Sequence, residues 1–88
     1  MSPEELSAIA KYMGELCGAA KQDWLTANPA DVGLNGICIV HWREAYFEGC
    51  KDMASGIYNR LPEPLRADFS KTFKTTMDAE IERLKAPT

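Results

Sequence analysis

Apolar residues recur at three- and four-residue spacing along most of this chain, in three runs separated by proline-bearing breaks. The first run is Leu6, Ile9, Met13, Leu16, Ala20 and Trp24. That spacing puts all six on one face of a helix. Its start is well punctuated: Ser2 suits an N-cap, Pro3 the first helical position, and Glu5 completes a Ser-x-x-Glu capping box. Met1 and Leu6 take the hydrophobic-staple positions. Asn28-Pro29 ends the pattern, because proline disfavours a helical residue before it. The pattern predicts a first helix over 3–27.

The second run is Ile39, Trp42, Tyr46, Cys50, Met53, Ile57 and Leu61, flanked by Val40, Phe47, Ala54 and Tyr58. Its apolar arc is wide, about 160° at 100° per residue. With Asn35 as N-cap, Leu34 and Ile39 fall on staple positions, which predicts a helix over 36–61. The competing reading is a short hairpin, since Asn35-Gly36 is a turn signal. "LPEPL" then breaks the chain, and Pro64 suits the first turn of a third helix over 64–85. Leu65, Phe69, Phe73, Met77, Ile81 and Leu84 form its stripe, which spirals because nearly every step is four residues. Three amphipathic helices with short joints predict an all-α fold: a small antiparallel three-helix bundle, as a single domain over 1–88.

On these expectations Trp24, Trp42, Tyr46 and Phe69 form the core. Two rows of small residues lie beside the stripes: Ala10, Gly14 and Gly18 on the first helix, Ala45, Gly49 and Gly56 on the second. Such rows let backbones approach closely. They are expected either to join the first two helices within one chain or to form a subunit interface. The self-association candidates are Ala10, Gly14 and Gly18, and a homodimer is the expected assembly.

Charge narrows the function classes. The net charge is −3, and no basic stripe of the kind that neutralises phosphates is present, which argues against direct nucleic-acid binding. A DNA-binding regulator using Arg66, Lys71 and Lys74 of the third helix is kept as an alternative; acids stand beside those bases. No apolar run reaches the ~20 residues of a membrane span. Three cysteines without close pairing, and an acidic N-terminus unlike a signal peptide, predict free thiols and a cytoplasmic setting.

Candidate chemistry is sparse. Cys38 and His41, three apart, supply at most half a zinc site or a thiol–imidazole pair without an orienting third group. No metal, cofactor or catalytic role is expected, and an enzyme centred on Cys38 and His41 ranks below the other readings. Glu44, Glu48 and Asp52 share the polar side of the second helix with His41, and read as a solvated face or an acidic docking strip. Phe47 and Tyr58 stand at the margins of the apolar arc, where aromatic interface anchors are found. The resulting expectation is a helical module that binds another protein, as adaptor, regulatory subunit or inhibitor. One version places Glu44, Phe47, Glu48, Asp52 and Tyr58 in a basic, nucleic-acid-binding groove of its target.

Overall fold

A computed structural model describes residues 2–33 and 36–85 of the 88-residue chain. It contains three helices: α1 over Pro3–Leu25, α2 over Ile39–Arg60 and α3 over Glu63–Lys85. The all-α three-helix expectation holds, and all three helices touch.

Local chemistry explains the ends. The Ser2 hydroxyl accepts from the Glu5 amide at 3.1 Å, and the Glu5 carboxylate accepts from the Ser2 amide at 3.3 Å, so the capping box forms. At the other end Thr26 Oγ1 donates to the Gln22 carbonyl at 2.8 Å, and the chain turns at Asn28, whose side chain accepts from the Ala30 amide.

The start of α2 differs from expectation. Its N-cap is Cys38, in extended conformation, and the helix begins at Ile39 rather than 36. Before it, Val32 and Cys38 form one isolated antiparallel bridge. Gly33 N–H donates to the Ile37 carbonyl at 2.7 Å, and Ile39 N–H to Asp31 at 3.1 Å. Gly36 has φ +75°, the left-handed region that glycine enters without strain. Among the described residues, the hairpin reading survives as this single bridge and not as a pair of strands. With Cys38 as N-cap, the expected cap at Asn35 does not hold, and Ile39 stands at N1 instead of the staple position N4; Met1 and Leu34 lie outside the described residues.

α1 is the central element. The chain runs up, down and up, so α2 is antiparallel to α1 and α3 parallel to it. Near its C-terminal end, Cys17 and Ala20 pack with Phe47 and Cys50 of α2; near its start, Leu6 and Ala10 pack with Phe69 of α3. Trp24 stacks on Phe47 with centroids 5.7 Å apart. Leu61, Ile57 and Leu65 close the corner where α2 passes into α3. There Arg66 donates to the carbonyls of Leu61 at 3.0 Å and Asn59 at 3.1 Å, placing a cation on the otherwise unsatisfied C-terminus of α2.

Beyond that corner α2 and α3 diverge. The molecule measures 45 × 31 × 15 Å with a radius of gyration of 14.8 Å. A compact domain of this length has a radius of gyration near 12 Å, and a triangular bundle has two similar short axes. Here one is twice the other, so the bundle is flattened, with α1 between its neighbours. The cause lies in α1. Ala10, Gly14 and Gly18 lie on one side of that helix, and Cys17 and Ala20 on an adjacent side. Each small surface draws one neighbour in, and both partners sit closer to α1 than to each other.

Candidate protein-interaction surface

The wide apolar arc of α2 divides into two halves in the structure. Phe47, Cys50 and Ala54 are buried, with Ile57 and Leu61 partly so. Together they point toward α1. Trp42, Tyr46 and Met53 point about 80° away and are 60%, 60% and 58% exposed. The expectation that Trp42 and Tyr46 belong to the core is thus corrected: only the half of the arc centred on Phe47 and Ala54 meets α1. Phe69 is core as expected, and Trp24 is half-buried, packed against the core through its stack on Phe47.

Two cavities flank these residues. An apolar hollow of about 350 Å³ lies between α1 and α2, lined by Ala20, Asp23, Ile39, Trp42, Arg43 and Tyr46. Arg43 bridges its rim by donating to the Asp23 carbonyl at 2.9 Å. On the opposite side, a groove of about 440 Å³ separates α2 from α3. Its floor is Ala54, Phe69 and Phe73, and its rim carries Lys51, Tyr58 and Lys74.

The expected partner-binding residues do not form one surface. Phe47 is buried between Trp24 and Lys51, whose ammonium sits 5.0 Å from its ring centroid. It is a core residue, not an exposed anchor. Glu44 is half-buried. Glu48 is exposed and pairs with Lys51 at 3.2 Å. Asp52 is exposed. Tyr58 sits on the far groove, with the Arg66 guanidinium 5.7 Å from its ring centroid.

The small-residue rows are also reassigned. Ala10 is fully buried. A Cβ on Gly14 would stand 2.8 Å from the Phe73 carbonyl oxygen and the Thr76 Cβ; one on Gly18 would stand 2.9 Å from the Met77 carbonyl and the Glu80 Cβ. That row is filled by α3 of the same chain, so it is neither a free self-association surface nor the joint between α1 and α2. On α2 the situation is reversed, for a Cβ on Gly49 would meet nothing within 4 Å.

The three thiols occupy different environments. Cys17 and Cys50 are buried in the α1–α2 interface, and all three cysteines are free. Burial pushes the Cys17 thiol up to about 11; the neighbouring Cys50 adds to the rise and Lys51 opposes it. Cys38 is half-buried, with its Sγ 3.7 Å from the Pro29 carbonyl oxygen. His41 is exposed on the first turn of α2. Among the described residues, no group of three His, Cys, Asp or Glu side chains is placed to hold a metal ion. No described helix is long and apolar enough to cross a membrane.

Exposed side chains that complete no core are thus the distinctive feature of this molecule. Trp42, Tyr46 and Met53 were legible as apolar and helical, but not as solvent-facing. The open glycine between them was the available signal, since glycine is costly inside a helix by about 1 kcal/mol relative to alanine. No family of known proteins, no curated protein and no solved structure matches this chain.

Proposed function

We propose that this protein is a helical protein-interaction module whose docking surface is the Trp42–Tyr46–Met53 stripe of α2. It acts by binding, as an adaptor, regulatory subunit or inhibitor, and not by catalysis. One observation carries the reading: three large apolar side chains, each more than half exposed, stand in line on one helix. They leave roughly 300–400 Å² in water, the size of the largest patch on a typical monomer, where such patches are commonly functional. Tryptophan and tyrosine are also the residues most enriched at interface hot spots.

The narrower form, an inhibitor laying Glu44, Glu48 and Asp52 on a basic nucleic-acid-binding groove, has weaker support. Glu48 is already engaged by Lys51, and Glu44 is half-buried. Three free thiols favour a reducing, cytoplasmic setting. The test is affinity capture from the native host with wild-type protein and with Met53→Glu, read by mass spectrometry. The wild type should retain a protein, including further copies of itself, that Met53→Glu loses. Equal retention by both would remove the stripe as the docking surface.

A further inference from the structure

We infer that the occupant of the stripe is a second copy of this chain, packed with its α2 antiparallel to the first about a two-fold axis level with residue 51. This rests on the reading of the stripe as a docking surface and names its partner.

The side of α2 that carries the three apolar residues reads Trp42, Tyr46, Gly49, Met53, Gly56 and Arg60, all exposed except half-buried Gly56. The steps are four, three, four, three and four. That alternation is the a/d seam of a two-helix coiled coil, narrower than the stripe a helix presents to a globular core. α2 already has a separate core-facing half, so the seam is additional to what folding of one chain requires.

In an antiparallel pair, each a position faces a d position of the other helix. Tyr46, Met53 and Arg60 occupy one set and Trp42, Gly49 and Gly56 the other. The pairs 46 with 56, 53 with 49, and 60 with 42 share the same midpoint, 51. Tyr46 then packs over Gly56 of the second copy, and Met53 over its Gly49. In these two layers a large side chain meets a glycine, which fills the layer without a void. Arg60 meets Trp42, a cation over an indole. A parallel pair would set Gly49 against Gly49 and Trp42 against Trp42, leaving empty and overfilled layers in turn. Gly49 is open in the single chain; over Gly56 the Arg60 guanidinium stands 3.5 Å from where a Cβ would be and donates to the Gly56 carbonyl at 3.4 Å, so it swings toward Trp42 of the second copy as Tyr46 takes its place.

Two copies of a patch of roughly 300–400 Å², with Arg60 and the margins of the seam added, approach the ~1,000 Å² that a specific interface needs. The arrangement also sets Asp52 of one copy beside Asp52 of the other at the flank near the axis. Those like charges oppose association, so added salt, which screens them, should tighten it. A basic partner docked on the acids would respond in the opposite sense.

Sedimentation equilibrium over 1–100 µM should give twice the 9.8 kDa chain mass. Met53→Glu, and separately Tyr46→Lys, should weaken association by more than 100-fold with the helical circular-dichroism spectrum unchanged, since both positions are exposed. Asp52→Asn should tighten it. The register is tested by mixing Gly49→Cys with Met53→Cys, both in a Cys38→Ser background, under mild oxidation. The mixed disulfide should form in preference to either homodimeric one. A monomer at 100 µM overturns the proposal, as do homodimeric disulfides in that mixture. A monomer whose captured partner is lost in Met53→Glu overturns the second copy alone. A monomer that captures equally with and without Met53→Glu ends both readings.

Discussion

Gly14 lies directly against the backbone of Phe73: a Cβ there would stand 2.8 Å from the Phe73 carbonyl oxygen. A backbone carbonyl in a helix cannot yield as a side-chain tip can. Gly14→Ala should therefore force α1 and α3 apart and destabilise the fold by about 1–3 kcal/mol, despite alanine's better helix propensity. Gly49→Ala, which meets nothing in the single chain, should stabilise the monomer by up to about 1 kcal/mol. Urea unfolding at submicromolar concentration compares the two.

Phe47 and Met53 lie six residues apart on α2, with opposite expected consequences. Phe47→Ala removes the stack on Trp24 and the ring beneath Lys51, and should cost about 3–5 kcal/mol. Met53→Ala changes a side chain that is 58% exposed, and should shift monomer stability by no more than about 0.5 kcal/mol. Denaturant midpoints at fixed m-value separate them. A small effect at Phe47 would return that residue to the surface.

Arg66 ties α3 to the end of α2 through two carbonyls. Replacing it with alanine leaves both acceptors without their cation, and should cost about 1.5–3 kcal/mol. Lysine carries the charge but not the planar fork, so Arg66→Lys should recover only part of the loss. Thermal unfolding of the two variants gives the ordering.

The thiols predict a pH dependence. In the unfolded chain Cys17 ionises near pH 9; in the fold its thiol is held up to about 11. The folded pKa is the higher one, so the associated stability is intact below pH 9 and is lost as pH rises from 9 toward 11. Cys17→Ala should flatten that part of the stability profile. At neutral pH an alkylating reagent should modify half-buried Cys38 well before buried Cys17 and Cys50. Peptide mapping against time reads the order.

Much of this architecture was legible in the order of residues alone. The capping box, the proline breaks and the apolar spacing are local devices, acting over three or four residues, so α1 and α3 begin and end near where those signals stand. The bridge before α2 was less legible, because Asn35-Gly36 can serve as a turn or as a cap, and the apolar spacing downstream favours the cap. What required the tertiary structure was the use of α2's wide arc. Both Phe47 and Trp42 lie within it, and periodicity cannot choose between them. The choice is made by α1, whose small residues fall on two adjacent sides. One side admits α3 up to Gly14 and Gly18, and the other admits α2 up to Cys17 and Ala20. With both neighbours held against α1, the bundle flattens and α2 can bury only about half of its apolar face. Phe47 falls on the buried half, while Trp42, Tyr46 and Met53 remain in water, because burial depends on which neighbour packs against a surface and not on the residue's own hydrophobicity alone.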